Sequence, residues 1–495
     1  MTRLHPRTPV LVGVGEATHR GPEPIGAVDL AGDASTRALL DAGGTMHDRI
    51  DTLVVINILS PAPADPAHRL GRLLGLTPSR HLSTTIGGNT PQWLVGRFAD
   101  EILARTCDAV LVAGAEAGAS ARRVAGTPDS APVDGVDEVI GDDRVGVGPM
   151  EIAAGLMAPP RLYPLFESAI AAREGRSLDE QRTHLGGFMA PATRVAAGHP
   201  DTAWFPVERT PAELADPTPE NRMISEPYTK WMNAIISVDQ SAAYILCAAE
   251  VAEAAGVPTD RWVFPRSTAD LNDVFFPSQR PELDRSPAIA GAARAALDAA
   301  GCGADDIAHL DVYSCFPCAV EMTAEALGLA LDDSRGFTVT GGHAYFGGPG
   351  NNYTTHAIAE VVRRCRAEPG SLGLTTGLGW YVTKHAVGIW STMPPDDGFG
   401  HPDLRAEQAS IDQRALPLRT PDQRERATVD AFTVFHDRTA GPVSVPIVAT
   451  LTDGTRTIAR SDDADLAREL SGGRLIGAAV EIVPEADGAL GFVPV

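Results

Sequence analysis

Residues 37–44 read RALLDAGG and residues 294–301 read RAALDAAG, a match at six of eight positions separated by 257 residues (294 minus 37). Each stretch is followed by a short polar turn and an apolar run, IDTLVVINI at 50–58 and IAHLDVYSCF at 307–316. The parallel continues in the same order. IGGNTPQWLVGRFADEIL at 86–103 is answered by GGPGNNYTTHAIAEVV at 347–362, a glycine loop opening a helix in both, and DAVLVAGAE at 108–116 by GSLGLTTGLGW at 370–380. Three matches in one order make coincidence a poor explanation, and the pattern predicts two related halves.

Within the first half, apolar strands (TPVLVGVGEA at 8–17, IDTLVVINIL at 50–59, CDAVLVAGAE at 107–116) alternate with helical patterns over 27–42 and 94–104. Near-continuous apolar strands separated by amphipathic helices imply a mostly parallel sheet covered on both faces, an α/β class. Residues 118–232 break the pattern with a stretch rich in Pro, Gly and Arg that holds at least two helical segments. The first half then finishes with NAIISVDQSAAYILCAAEVAEAA. After Trp390 a Pro/Gly/Asp-rich linker leads to short strands with turns at DRTAGP, DGT and ADG, the pattern of a small β-barrel.

Composition narrows the function. The net charge of −23 is the opposite of what phosphate contacts require and excludes a nucleic-acid binder. No run of 18 apolar residues and no secretory leader pattern is present, so no membrane span and a cytoplasmic location are expected. Six cysteines sit in apolar surroundings, and only Cys315 and Cys318 are close, in CFPC. A CxxC at a strand-to-helix junction suits redox chemistry, but no second pair completes a zinc site, and burial is the plainer reading. GVGEAT at 13–18 is too poor in glycine for a dinucleotide site.

The duplicated halves, the insertion and the run from GADDIAHLDVYSCFPCAVEM to LGLTTGLGW resemble the thiolase superfamily over residues 8–392, nearest to sterol-carrier-type thiolases and to bacterial thiolase-like proteins with an added C-terminal domain. The resemblance implies a duplicated thiolase fold: two βαβαβαββ halves in five α-β-α-β-α layers, with an OB-like barrel appended. The expected division is 1–117 plus 233–265, an insertion at 118–232, the second half at 266–392, a linker at 393–424 and the barrel at 425–495. It further implies a coenzyme A thioester as substrate or ligand with no bound cofactor, the insertion as its cover, and possible homodimerisation through the sheet edge of the first half.

In that family a cysteine takes the acyl group, a His in a Gly-His-Pro loop activates it, an Asn or His at a strand end orders an oxyanion-hole water, and a second cysteine in Cys-x-Gly-x-Gly moves the α-proton. Here the matching positions hold Gly87, Gly348, Tyr313 and Thr375. Thiolysis through a cysteine acyl-enzyme is therefore not expected. Tyr313 becomes the leading catalytic candidate, as hydrogen-bond donor or base, with Asn352 and His356 beside it. Gly87, Gly88, Gly347, Gly348 and Asn351 form the candidate binding loops, where backbone approaches a ligand closely and a helix N-terminus points its amides. Asn351 and Asn352 are donors or helix caps. His356, facing Asn352 and Glu360 at helical spacing, reads as a helix-surface group or as one supporting the site from behind, and His385 as a core histidine with a hydrogen bond; either could stand in for the missing base, and His343 is a further imidazole near the loops. Three functions stay open: acyl-CoA binding without a cysteine acyl-enzyme; a retro-aldol lyase on a β-hydroxyacyl-CoA, with Tyr345 or Tyr353 as second phenol and the tail standing in for an OB-fold partner; and a non-catalytic scaffold whose tail docks a protein.

Overall fold

The computed structural model describes residues 4–124, 135–485 and 488–495; residues 125–134 of the insertion and most of the turn expected at 486–488 lie outside them. The first half contributes β1 (Pro9–Thr18), β2 (Thr52–Val55), β3 (Arg80–Thr84) and β4 (Ala109–Ala117). The insertion adds β5 (Glu138–Ile140), β6 (Met223–Ser225) and β7 (Tyr228–Thr229), and β8 (Asp239–Ala248) returns to the first sheet. Its order is β1-β8-β4-β2-β3-β5, with β2, β3, β4 and β5 parallel and β8 antiparallel to both neighbours. The second half supplies β9 (Phe264–Asn272), β10 (Ile307–Asp311), β11 (Leu372–Gly379) and β12 (Lys384–Ser391), ordered β10-β11-β12-β9. This repeats the order β2-β4-β8-β1 of the first half.

The duplication explains the core. The helices Thr90–Leu103 and Tyr353–Ala367 lie between the two sheets, where Leu94, Val95 and Phe98 meet Ile358, Val361, Val362 and Cys365. The helix Ala27–Asp41 covers the far face of the first sheet and Pro287–Ala300 that of the second, which completes five layers. Each fully buried aliphatic or aromatic side chain in such a layer contributes roughly 1.5–3 kcal/mol. Where the third strand of the second half would run, there is only the segment near Phe337, whose carbonyl accepts the Val312 amide at 2.8 Å.

The sheet edge through which family members pair is not bare. β5 lies parallel to β3, with Leu82 opposite Glu138 and Thr84 opposite Ile140. The insertion supplies this strand, and with it a cover for the edge.

The expected linker contains structure. The helix Arg405–Asp412 docks on Pro287–Ala300 through the two oxygens of Glu407 and Arg294, at 2.7 and 2.8 Å. The tail forms β13 (Glu425–Phe432), β14 (Phe435–Asp437), β15 (Gly441–Leu451), β16 (Arg456–Ser461), β17 (Ala479–Pro484) and β18 (Leu490–Pro494). Their sheet runs β18-β17-β13-β15-β14 and continues into β6 and β7 of the insertion, with β16 beside β15. Buried Glu226 fixes this junction: its carboxylate accepts from Gly472 N–H at 2.6 Å, from His436 Nε2 at 2.8 Å and from the Ser471 hydroxyl.

Candidate functional site

β10 ends at Asp311, and the chain crosses to the helix Pro317–Leu327 through residues 312–316. The Tyr313 amide donates to Thr376 Oγ1 at 2.8 Å, which pins the crossing beside β11. From there the phenol reaches the first half: a Cβ added to Gly88 would stand 2.1 Å from Tyr313 Oη and 2.5 Å from the Leu378 carbonyl oxygen. Glycine at 88 is what admits the ring.

His343 completes the cluster. Its imidazole lies 4.2 Å from the Tyr313 ring centre and stacks on Tyr353 at 3.5 Å, while the two phenol rings meet edge to face at 5.8 Å. Ser314 Oγ accepts the His343 amide at 3.3 Å and lies 3.4 Å from its Nδ1. The Tyr353 hydroxyl is 2.6 Å from Thr340 Oγ1 and donates to Asp311 Oδ1 at 3.3 Å. Asp311 Oδ2 also accepts from the hydroxyls of Thr338 and Thr340 and the amides of Val339 and Thr340, at 2.9–3.1 Å.

Burial governs the electrostatics. It pushes the phenols of Tyr313 and Tyr353 well above their ordinary value, so both are neutral donors at pH 7. It pushes His343 well below 6.5, with the nearby His356 adding to the effect, so the imidazole is neutral. His343 Nε2 and Tyr345 Oη are buried without a hydrogen-bond partner among the described residues. Burial also raises Asp311 to about 6 despite its donors. The arrangement packs a phenolic donor and a neutral imidazole against each other, ring centres 4.2 Å apart, just past the end of β10.

The other candidates have different surroundings. The Gly87 amide donates to Asn351 Oδ1 at 3.0 Å, and Asn351 Nδ2 donates to Asn57 O and Oδ1, so Asn351 holds the loop rather than facing a ligand. Asn352 Nδ2 donates to the Gly114 and Ala242 carbonyls, and its Oδ1 accepts from Thr355. Gly347, with φ 117°, fits against Gln240, whose Oε1 would lie 2.1 Å from a Cβ. Gly348 is less crowded; its nearest neighbours include His343 Cδ2 at 3.6 Å, so an imidazole does sit beside the family's histidine position. Thr375 bonds Gln92 Oε1 at 2.6 Å and accepts from Trp390 Nε1 at 2.8 Å, deep in β11.

His356 is not a surface group. It is fully buried, with Nδ1 2.6 Å from Glu16 Oε1, and Arg363 closes on the other Glu16 oxygen, which ties the second half to β1. His385 is buried 3.5 Å from Asp273. Cys315 and Cys318 are free thiols. Sequence reasoning passed over Asp311 and Thr340, and gave His343 no role. The signal for His343 was its place in GGHAYFGGP, five residues before Gly348 (348 minus 343).

Comparison with known proteins places this geometry. Residues 407–488 match the family model described as the thiolase-like protein type 1 additional C-terminal domain, which begins inside the Arg405–Asp412 helix and so takes in part of the expected linker. No curated protein matches in sequence. Among solved structures, a monomeric SCP2-thiolase-like protein type 1 from Mycobacterium smegmatis is similar at 34% identity and TM-score 0.85, covering 99% of this chain and 100% of that one. The dimeric peroxisomal thiolase of Saccharomyces cerevisiae is 14% identical, with TM-score 0.59 over 79% of this chain and 98% of its own. The Ltp2-ChsH2(DUF35) aldolase is 18% identical, with TM-score 0.59 over 78% and 98%. The last two share the fold. End-to-end coverage at 34% identity, together with the matching C-terminal domain, shows that the chain belongs to the SCP2-thiolase-like protein type 1 family of the thiolase superfamily.

Proposed function

We propose that the protein binds a coenzyme A thioester between its two halves and acts on it, if at all, without a cysteine acyl-enzyme. The observation that carries this is the state of the thiols. Burial raises all six: Cys315 and Cys365 to about 12, and Cys107, Cys247, Cys302 and Cys318 upward as well. A nucleophilic cysteine needs a lowered pKa. What stands at the nucleophile position is instead Gly87, with the Tyr313 phenol packed on its neighbour Gly88.

A second reading, retro-aldol cleavage of a β-hydroxyacyl-CoA, is favoured by the pairing of Tyr313 with Tyr353 around His343. In that reaction the β-hydroxyl proton passes to the unpartnered His343 Nε2 and the Cα–Cβ bond breaks. An aldehyde or ketone leaves, and the thioester enolate, stabilised by the Tyr313 hydroxyl, takes up a proton at carbon. The similar fold of an aldolase agrees with this reading. One purified sample separates the cases by three measurements: thiolysis of acetoacetyl-CoA, binding of acyl-CoA, and aldehyde release from a hydroxyacyl-CoA. Appreciable thiolysis refutes the proposal. Aldehyde release abolished in Tyr313→Phe establishes the lyase, and binding without turnover favours the scaffold.

A further inference from the structure

The helix Leu178–Ala197 of the insertion carries Gly186, packed against Pro211 and Ala215, and on another face Gly187 and Pro191, one turn apart. Both residues weaken a helix. Pro191 has no N–H for the Gly187 carbonyl, and a Cβ added to Gly187 would meet no atom within 4 Å. Nothing in the packing of the protein calls for glycine there. Yet Gly187 and Pro191 share one helix face with His184, Phe188 and Val195, and that face lines a cavity of about 770 Å³.

The opposite wall comes from the second half: Val320, Leu331 and Phe337. At the floor are Ser314, whose hydroxyl bonds His343, and Thr338, which bonds Asp311. At the rim the cations are already matched, while the Asp332 carboxylate has no ion-pair partner among the described residues. Arg335 holds both oxygens of Asp333 and two backbone carbonyls, and Arg194 is paired with Glu208. No unmatched cation is left there for an anionic head. The volume lies within the roughly 300–1,000 Å³ of small-ligand sites, and an apolar wall with a few converging polar groups is their usual composition.

We propose that this cavity takes the aliphatic chain of an acyl group, with the tail lying along the Gly187 face and the end nearer the head at Ser314, one residue from Tyr313. The identity of the head rests on the thioester reading; the chain-binding role of the cavity does not. Past the end of β10, Tyr313 packs on Gly88 in the glycine loop while Ser314 lines this cavity.

Calorimetric titration of the full chain with acetyl-CoA, dodecanoyl-CoA and dodecanoic acid tests this. Each methylene withdrawn from water is worth at most about fourfold in affinity, so dodecanoyl-CoA is expected to bind at least about tenfold tighter than acetyl-CoA. Gly187→Trp starts from a position where an added Cβ meets no atom within 4 Å and puts an indole on the cavity wall; it should abolish that gain while leaving acetyl-CoA binding unchanged, and Ala192→Phe, on the same wall, is the second variant should the first not fold. An undiminished chain-length gain in a folded variant overturns the proposal, as does no gain in the parent protein. If neither CoA ester binds but dodecanoic acid does, and is lost in Gly187→Trp, the thioester reading fails and the cavity assignment stands.

Discussion

Replacing Gly88 with alanine tests whether the Tyr313 phenol occupies the space above the glycine loop. The added Cβ would stand 2.1 Å from Oη, 2.6 Å from Cζ and 2.5 Å from the Leu378 carbonyl oxygen, where ordinary contact begins near 3.4 Å. Leu378 is paired with His385 across β11 and β12 and has little room to shift, so the ring must give way. Overpacking of this kind costs about 1–3 kcal/mol, and with one rigid neighbour the upper end is expected. Tyr313→Ala removes the ring and, by the aromatic-to-alanine range, costs about 3–5 kcal/mol. If both changes act on one space, the double variant is less damaged than the sum by more than about 1 kcal/mol, since the new methyl enters the vacated volume. Thermal unfolding of the four proteins reads this out, at about 2–4 °C per kcal/mol for a cooperative unit of 150–250 residues. Additivity within about 0.5 kcal/mol would show that the phenol is not against Gly88, and the site built on Tyr313 would fall with it.

With β5 on the edge of β3, the protein is expected to be monomeric in light scattering at tens of micromolar; a dimer would contradict the covered edge. A thiol reagent at pH 7 should label the native chain slowly at Cys315, Cys318 and Cys365, all buried, and quickly only after unfolding; rapid labelling of any of the three would reopen cysteine catalysis. Burial alone would raise Glu16, but Arg363 and His356 outweigh it and hold the carboxyl at about 2 against 4.5. A folded value below the unfolded one gives stability present in full above pH 4.5 and lost as pH falls toward 2, about 3 kcal/mol in all. Glu16→Gln should flatten that part of the pH–stability curve, and an unchanged curve would remove Glu16 as its source. Glu226→Ala leaves the Gly472 amide, the Ser471 hydroxyl and His436 without their acceptor, at about 1–3 kcal/mol for each donor left buried. Limited proteolysis should then release the C-terminal domain from the variant at a dose that leaves the parent whole.

The fold was legible because its two halves repeat: RALLDAGG and RAALDAAG begin equivalent units, and the order of apolar strands and glycine loops defined both sheets. β5 was not legible, since its three residues EVI follow no pattern and pair only because β3 offers an edge. The Arg405–Asp412 helix was hidden by flanking Pro, Gly and Asp, and forms against Arg294, which is more than a hundred residues away in the chain. At the site, the placement of Tyr313 followed from the strand-end motif. The partners of Asn351, Asn352 and His356 did not, because Asn57, Gly114 and Glu16 lie in the other half of the repeat and helical spacing carries no information about them. The burial of His356 was hidden for that reason: Glu16 holds its Nδ1 from β1.

The residues around the glycine loop bear on whether the proposed site is occupied by a ligand. Asn351 accepts the Gly87 amide, and a Cβ added at Gly348 would lie 3.6 Å from His343 Cδ2, so polar side chains stand beside both glycines. His343 Nε2 nevertheless remains buried without a partner among the described residues. Such a group costs about 1–3 kcal/mol, and the surrounding rings of Tyr313 and Tyr353 would accept a phenyl ring in its place. A ligand donating a hydroxyl to Nε2 would offset that cost. His343→Phe is therefore expected to leave the ligand-free protein as stable as the parent or up to about 2 kcal/mol more stable, while removing turnover or weakening ligand binding at least about tenfold. If the variant is instead clearly destabilised and binds acyl-CoA as before, the imidazole belongs to the packing of the core and the reactive cluster reduces to Tyr313.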